Sequence, residues 1–119
     1  MIAAPAQSLD AELAVLGSML IEKSAARRAA LHLDPEDFYQ ESHRLIFRAI
    51  NQLLDDGVAD IDVVVVGQHL TITEQLDRVG GMGSLTKATD TVVTAAHIDS
   101  YCRIVKEASL KRQFDIQVI

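Results

Sequence analysis

Ser42-His43-Arg44-Leu45-Ile46-Phe47-Arg48-Ala49-Ile50-Asn51-Gln52-Leu53-Leu54 is the stretch on which the fold turns. Leu45, Ile46, Ala49, Ile50, Leu53 and Leu54 recur with the helical period, so the segment is predicted to be an amphipathic helix that Gly57 stops. Its other side carries His43, Arg44, Arg48, Asn51 and Asp55, and the two arginines, one turn apart, are expected on a solvated face. No alternating pattern competes with this period.

Upstream, Leu9, Leu13, Leu16 and Leu20 follow the same period, with Val15 and Met19 widening the stripe. A second amphipathic helix is expected there, with Ser8 as N-cap and Asp10 and Glu12 placing negative charge in its first turn. A short helix over 24–31 should turn Arg27 and Arg28 outward. Asp34 and Pro35 then open a helical turn through Glu36, Asp37 and Phe38, with Phe38 and Tyr39 pointing inward.

Downstream, Val63-Val64-Val65-Val66 favours a strand by intrinsic preference, but no second strand is available to pair with it. A helix capped by Asp62, with Val63, Val66 and Leu70 on one face, is the better expectation. Thr73 is expected to cap a short turn holding Leu76 and Val79, Gly80, Gly81 and Gly83 to break the chain, and a helix to cover 84–91. The last helix is predicted from about Thr94, with Ile98, Tyr101, Val105 and Ala108 on one face and Ile104, Leu110 and Phe114 beside it. No stop signal follows, so the sequence is expected to be a fragment of a longer chain.

The 119 residues amount to one domain. A hydrophobic share of 49% and a charged share of 24% exclude disorder, and an aromatic share of 4% without Trp calls for an aliphatic core of close-packed helices. The expected class is all-α. A net charge of −6 disfavours direct binding of DNA, no apolar run approaches a membrane span, residues 1–7 lack signal-peptide features, and the single cysteine, Cys102, excludes an internal disulfide. A cytoplasmic setting is expected.

Catalytic patterns fail one by one. Gly80-Gly81-Met82-Gly83-Ser84 lacks the lysine of a phosphate loop and the third glycine of a dinucleotide fingerprint. Ser84-Leu85-Thr86-Lys87 spells a serine nucleophile motif without its companion motifs. The cluster of His32 with Asp34, Glu36 and Asp37 reads as a helix cap with exposed acids and not as a metal site, while His43, His69 and His97 read as surface or capping histidines. Asp55, Asp56, Asp60 and Asp62 lack calcium-loop spacing, and Cys102 sits mid-helix in a packing role. Arg103, Lys106, Lys111 and Arg112 make the last helix locally basic, which is a solvated face or a partner contact. The residues thus point to a non-catalytic helical domain that binds other proteins.

The chain carries, in order, Ser8-Leu9-Asp10-Ala11-Glu12, Ala14-Val15-Leu16-Gly17, Pro35-Glu36-Asp37-Phe38-Tyr39, His43-Arg44-Leu45-Ile46-Phe47, Gly57, Asp60-Ile61-Asp62, Gln75-Leu76, Val79-Gly80-Gly81, Thr94-Ala95-Ala96, Tyr101 and Arg103-Ile104-Val105. In order and spacing, these landmarks resemble the N-terminal domain of the DnaB-type replicative DNA helicases. The resemblance implies a head of short helices, about residues 8–92, followed by the first arm of a helical hairpin from about 94 to 119. It also implies a collar that pairs into a trimer of dimers around a hexameric ring and docks primase and, in some systems, a loader. ATP and magnesium would belong to a separate C-terminal domain, leaving this piece without a cofactor. Asp10, Ser84, Arg103, Lys106, Lys111 and Arg112 are the candidate partner-binding positions. Ser84 stands where the family often has an aromatic residue, Val93 where it commonly has Pro, and His97 where Asn is more typical. An alternative reading is a stand-alone regulator of the same fold that binds a helicase.

Overall fold

The computed structural model describes residues 8–118, with side chains described as far as Phe114. The expectations resting on residues 1–7 and on Ile119 lie outside the described residues. Six α-helices follow in order: α1 (Leu9–Ile21), α2 (Lys23–His32), α3 (Glu41–Asp55), α4 (Val63–Ile72), α5 (Met82–Asp90) and α6 (Ile98–Val118). Two tight helical turns, Pro35–Asp37 and Asp77–Val79, join them, and no strand occurs among the described residues.

Helix α1 is central, packed by α2, α3, α5 and α6. The Ser8 hydroxyl accepts the Ala11 N–H at 3.3 Å, which fixes the start. The expected amphipathic character is corrected here: Ala11, Glu12, Ala14, Gly17 and Ser18 are buried along with Val15, Leu16, Met19 and Leu20, while Leu9 is partly exposed. Small residues carry little weight in a hydrophobic pattern, yet they let a second helix approach. At Gly17 a Cβ would lie 2.1 Å from the Ala88 carbonyl oxygen, so α5 crosses α1 at backbone contact.

The deciding stripe of α3 is buried through Leu45, Ile46, Ala49, Ile50 and Leu53, with Phe47 added. Phe47 meets Phe38 with ring centroids 4.8 Å apart. Tyr39, expected inward, is instead partly exposed. The valine run is helical, with the Asp62 carboxylate accepting the Val65 N–H at 2.9 Å. Lys23 crosses from α2 to donate to the carbonyls of Val58 and Ala59, at 2.6 and 3.1 Å, and so pins the acidic loop before α4.

Thr73 is corrected from an N-cap to the C-cap of α4, where its hydroxyl donates back to the His69 carbonyl at 3.0 Å. Glu74 follows with φ of 60°, and the Gln75 and Glu74 N–H groups bond Leu70 and Thr71 in the arrangement that usually ends on glycine. Gly57, at φ of 74°, plays that part after α3. The fifth helix starts two residues earlier than expected, after Gly80 and Gly81 at positive φ.

The last helix begins at Ile98 and not near Thr94, whose hydroxyl accepts the Ala96 N–H in a preceding turn. Its buried stripe is Ile98, Cys102, Val105 and Ser109, with Tyr101 and Ala108 moved to the margins. Ile98, Cys102 and Val105 join the same core as α1 and α3, so the start of α6 and the head share one core.

Candidate functional site

Two buried carboxylates organise the molecule, one read in the sequence as a first-turn acid of α1 and the other as an exposed capping acid. Glu12, 1% exposed, accepts the Tyr39 N–H at 2.7 Å and the Gln40 N–H at 3.4 Å, and meets His43 Nδ1 at 2.8 Å. It therefore ties α1 to the first turn of α3, and His43 is corrected from a surface residue to a buried partner. The nearby Arg44 guanidinium donates to the carbonyls of Phe38 and Tyr39, so this arginine clamps a loop and does not simply face solvent.

Asp37, 3% exposed, is the second. Its carboxylate accepts the Asp34 N–H at 2.8 Å, closing a capping box that holds the Pro35–Asp37 turn rigid. From α6, Lys106 Nζ approaches both oxygens at 3.3 and 3.1 Å and the Ser109 hydroxyl donates at 2.7 Å. Arg112 donates to the Asp37 carbonyl at 2.8 Å and lies 5.5 Å from the Tyr39 ring centroid. Burial pushes the Asp37 carboxyl up, but the bonds from Asp34, Ser109 and Lys106 outweigh it and hold the group below the ordinary carboxylate range. Asp37 is thereby corrected from an exposed capping acid to the seat of α6.

These contacts divide the basic run of α6 into two sets. Lys106 and Arg112 face the Pro35–Asp37 turn, whereas Arg103 and Lys111 are exposed on the outer side. Asp99, Arg103, Glu107 and Lys111 recur at four-residue spacing and are all exposed, so they form one row of alternating sign that starts beside α2, where Asp99 pairs with Arg28, and runs onto the outer side. Ile104, Leu110 and Phe114, at 44%, 53% and 65% exposure, lie on the same outer side. Asp10 is exposed on the first turn of α1, and Ser84 is half-buried in the first turn of α5.

A cleft of about 470 Å³ between α2 and α6 is lined by Arg28, His32, Asp99, Cys102, Arg103, Lys106 and Glu107. Arg28 and Asp99 pair across it, and the hydrogen bond from Arg28 holds the Asp99 carboxyl low. Its cations are largely matched by acids, so the cleft is a weak anion trap. Burial pushes the Cys102 thiol up to about 11, which leaves it protonated and poorly nucleophilic. Among the described residues, no group of His, Cys, Asp and Glu side chains converges to hold a metal ion, and no helix is long and apolar enough to cross a membrane.

Architecture defines the class first: an all-helical domain in which a head of short helices carries a long terminal helix with a charged and apolar outer side. Residues 4–107 match the family described as the DnaB-like helicase N-terminal domain. Over 109 residues the chain is 41% identical both to the replicative DNA helicase DnaB of Geobacillus stearothermophilus and to the replicative DNA helicase DnaC of Bacillus subtilis. Each alignment covers 92% of this chain and 24% of the relative, so the chain spans about a quarter of those proteins' length. The fold is similar to the crystal structure of the N-terminal domain of DnaB helicase from Mycobacterium tuberculosis, with a TM-score of 0.89 and 38% identity over 93% of this chain and 80% of that one. The chain belongs to the DnaB-like helicase N-terminal domain family.

Proposed function

We propose that the chain is the collar domain of a hexameric replicative DNA helicase, pairing with a second copy and docking primase, and in some systems a loader, during DNA replication. On this reading ATP and magnesium act in a separate motor domain, and the collar, with its charge of −6, contributes little direct contact with DNA.

The observation that carries the pairing is the outer row of α6. Two copies of α6 laid antiparallel about an axis level with Val105 would set Arg103 opposite Glu107, twice by symmetry, and Lys111 opposite Asp99, whose carboxylate is shared with Arg28. Laid parallel in register, every pair would be of like charge. The row thus favours one orientation and opposes the other, with Ile104, Leu110 and Phe114 supplying apolar area at its flanks.

Sedimentation equilibrium of the chain tests the pairing. A concentration-dependent dimer is expected, and Glu107→Arg should weaken it about tenfold by setting Arg103 against a second arginine. A dimer that withstands Glu107→Arg would contradict the row's role. Partner docking has its own readout: in the full-length helicase Lys111→Glu should lower primase capture or ring mass, and an unchanged result in both would remove Lys111 from the contact surface.

A further inference from the structure

The geometry points to Asp37 as a positioning residue that sets the direction in which the outer half of α6 leaves the head. This rests on reading α6 as the contact element, and it concerns how that element is aimed.

The inward face of α6 changes character along its length. Ile98, Cys102 and Val105 enter the apolar core, but the next buried position is Ser109, 1% exposed, where continued core packing would call for an aliphatic side chain. Around that position the polar side chains of α6 converge on Asp37. Lys106 and Ser109 take the carboxylate and Arg112 takes the backbone carbonyl, three side chains at three-residue intervals reaching a single residue. Apolar burial is non-directional and tolerates rocking, whereas charge-assisted hydrogen bonds fix distance and angle. The receiving group is itself immobilised, because Pro35 and the capping box fix the turn that bears it. Head and outer helix are therefore joined through a polar clamp on a rigid seat, and the clamp sets the angle at which Glu107 and Lys111 are displayed.

Spin labels at Gln68→Cys on α4 and Gln113→Cys on α6, both exposed positions, would report that angle as an intramolecular distance. Dilution into unlabelled chain confines the measurement to one protomer, and buried Cys102 stays unlabelled. The parent chain should give one narrow distribution. Lys106→Met and Asp37→Asn should each widen it about twofold with helix content unchanged, while Lys106→Arg should retain the narrow one. If Asp37→Asn fails to fold, Lys106→Met still decides, since Lys106 is 40% exposed and retains its apolar stem in the variant. A Lys106→Met chain that loses thermal stability yet keeps the parent distribution would overturn the proposal. Loss of pairing would appear in sedimentation and not in this distance, so the two readings fail separately.

Discussion

At the scale of single residues, Glu12 sits at 1% exposure with two backbone N–H donors and a histidine on its carboxylate. Glu12→Ala leaves those donors without an acceptor inside the protein and should cost about 3 kcal/mol in urea unfolding. Glu12→Gln keeps one acceptor oxygen and should cost less. Glu74 offers the opposite sign. A non-glycine residue at a left-handed φ costs about 1–2 kcal/mol, against about 0.4–1 kcal/mol for the extra freedom of an unfolded glycine, so Glu74→Gly should stabilise the chain by about 0.5 kcal/mol. The same measurement on Gly57→Ala should show a loss. Both pairs of variants read a local rule at a residue whose role is visible only once the backbone is folded. Glu12 and Asp37 looked like helix-start acids because nothing nearby in sequence reveals a partner; Tyr39 lies 27 residues from Glu12, and Ser109 lies 72 from Asp37.

At the scale of elements, α3, α4 and the Ser8 cap were legible because each depends on local rules: a repeating apolar stripe, an Asx or Ser cap, and a glycine stop. Two boundary differences share one cause. Thr94 and Thr73 have hydroxyls that bond the backbone in a turn or at a helix end as readily as at a helix start, so the residue type does not choose between them. The register error in α6 has another cause, since Ser109 is polar by composition yet buried by partnership with Asp37. That partnership carries a pH signature. The Asp37 carboxyl is held below its ordinary value in the folded chain, so the folded state binds fewer protons than the unfolded state as pH falls through the acid range. The stabilisation is complete above about pH 4, the ordinary aspartate value, and is lost as pH falls through the lower folded value. Acid titrations of stability should therefore be shallower for Asp37→Asn than for the parent chain; parallel curves would remove Asp37 from the acid response.

At the scale of the whole molecule, the all-helical class followed from composition and period, and the family followed from an ordered set of landmarks matched over residues 4–107. The candidate surface was only half legible. Arg103, Lys106, Lys111 and Arg112 read as one basic run, because a linear sequence records spacing and not which cations a distant acid will take. Folding assigns Lys106 and Arg112 to Asp37 and Asp99 to Arg28, and leaves Arg103 and Lys111 to alternate with Glu107 on the outer side. Antiparallel pairing of two copies through this row is open to a charge exchange. Arg103→Glu and Glu107→Arg should each weaken the dimer in sedimentation equilibrium, and the two together should restore it to within about twofold of the parent, because the exchanged charges face each other again across the two-fold axis. A double variant as weak as either single one, or single variants with the parent's mass, would contradict it.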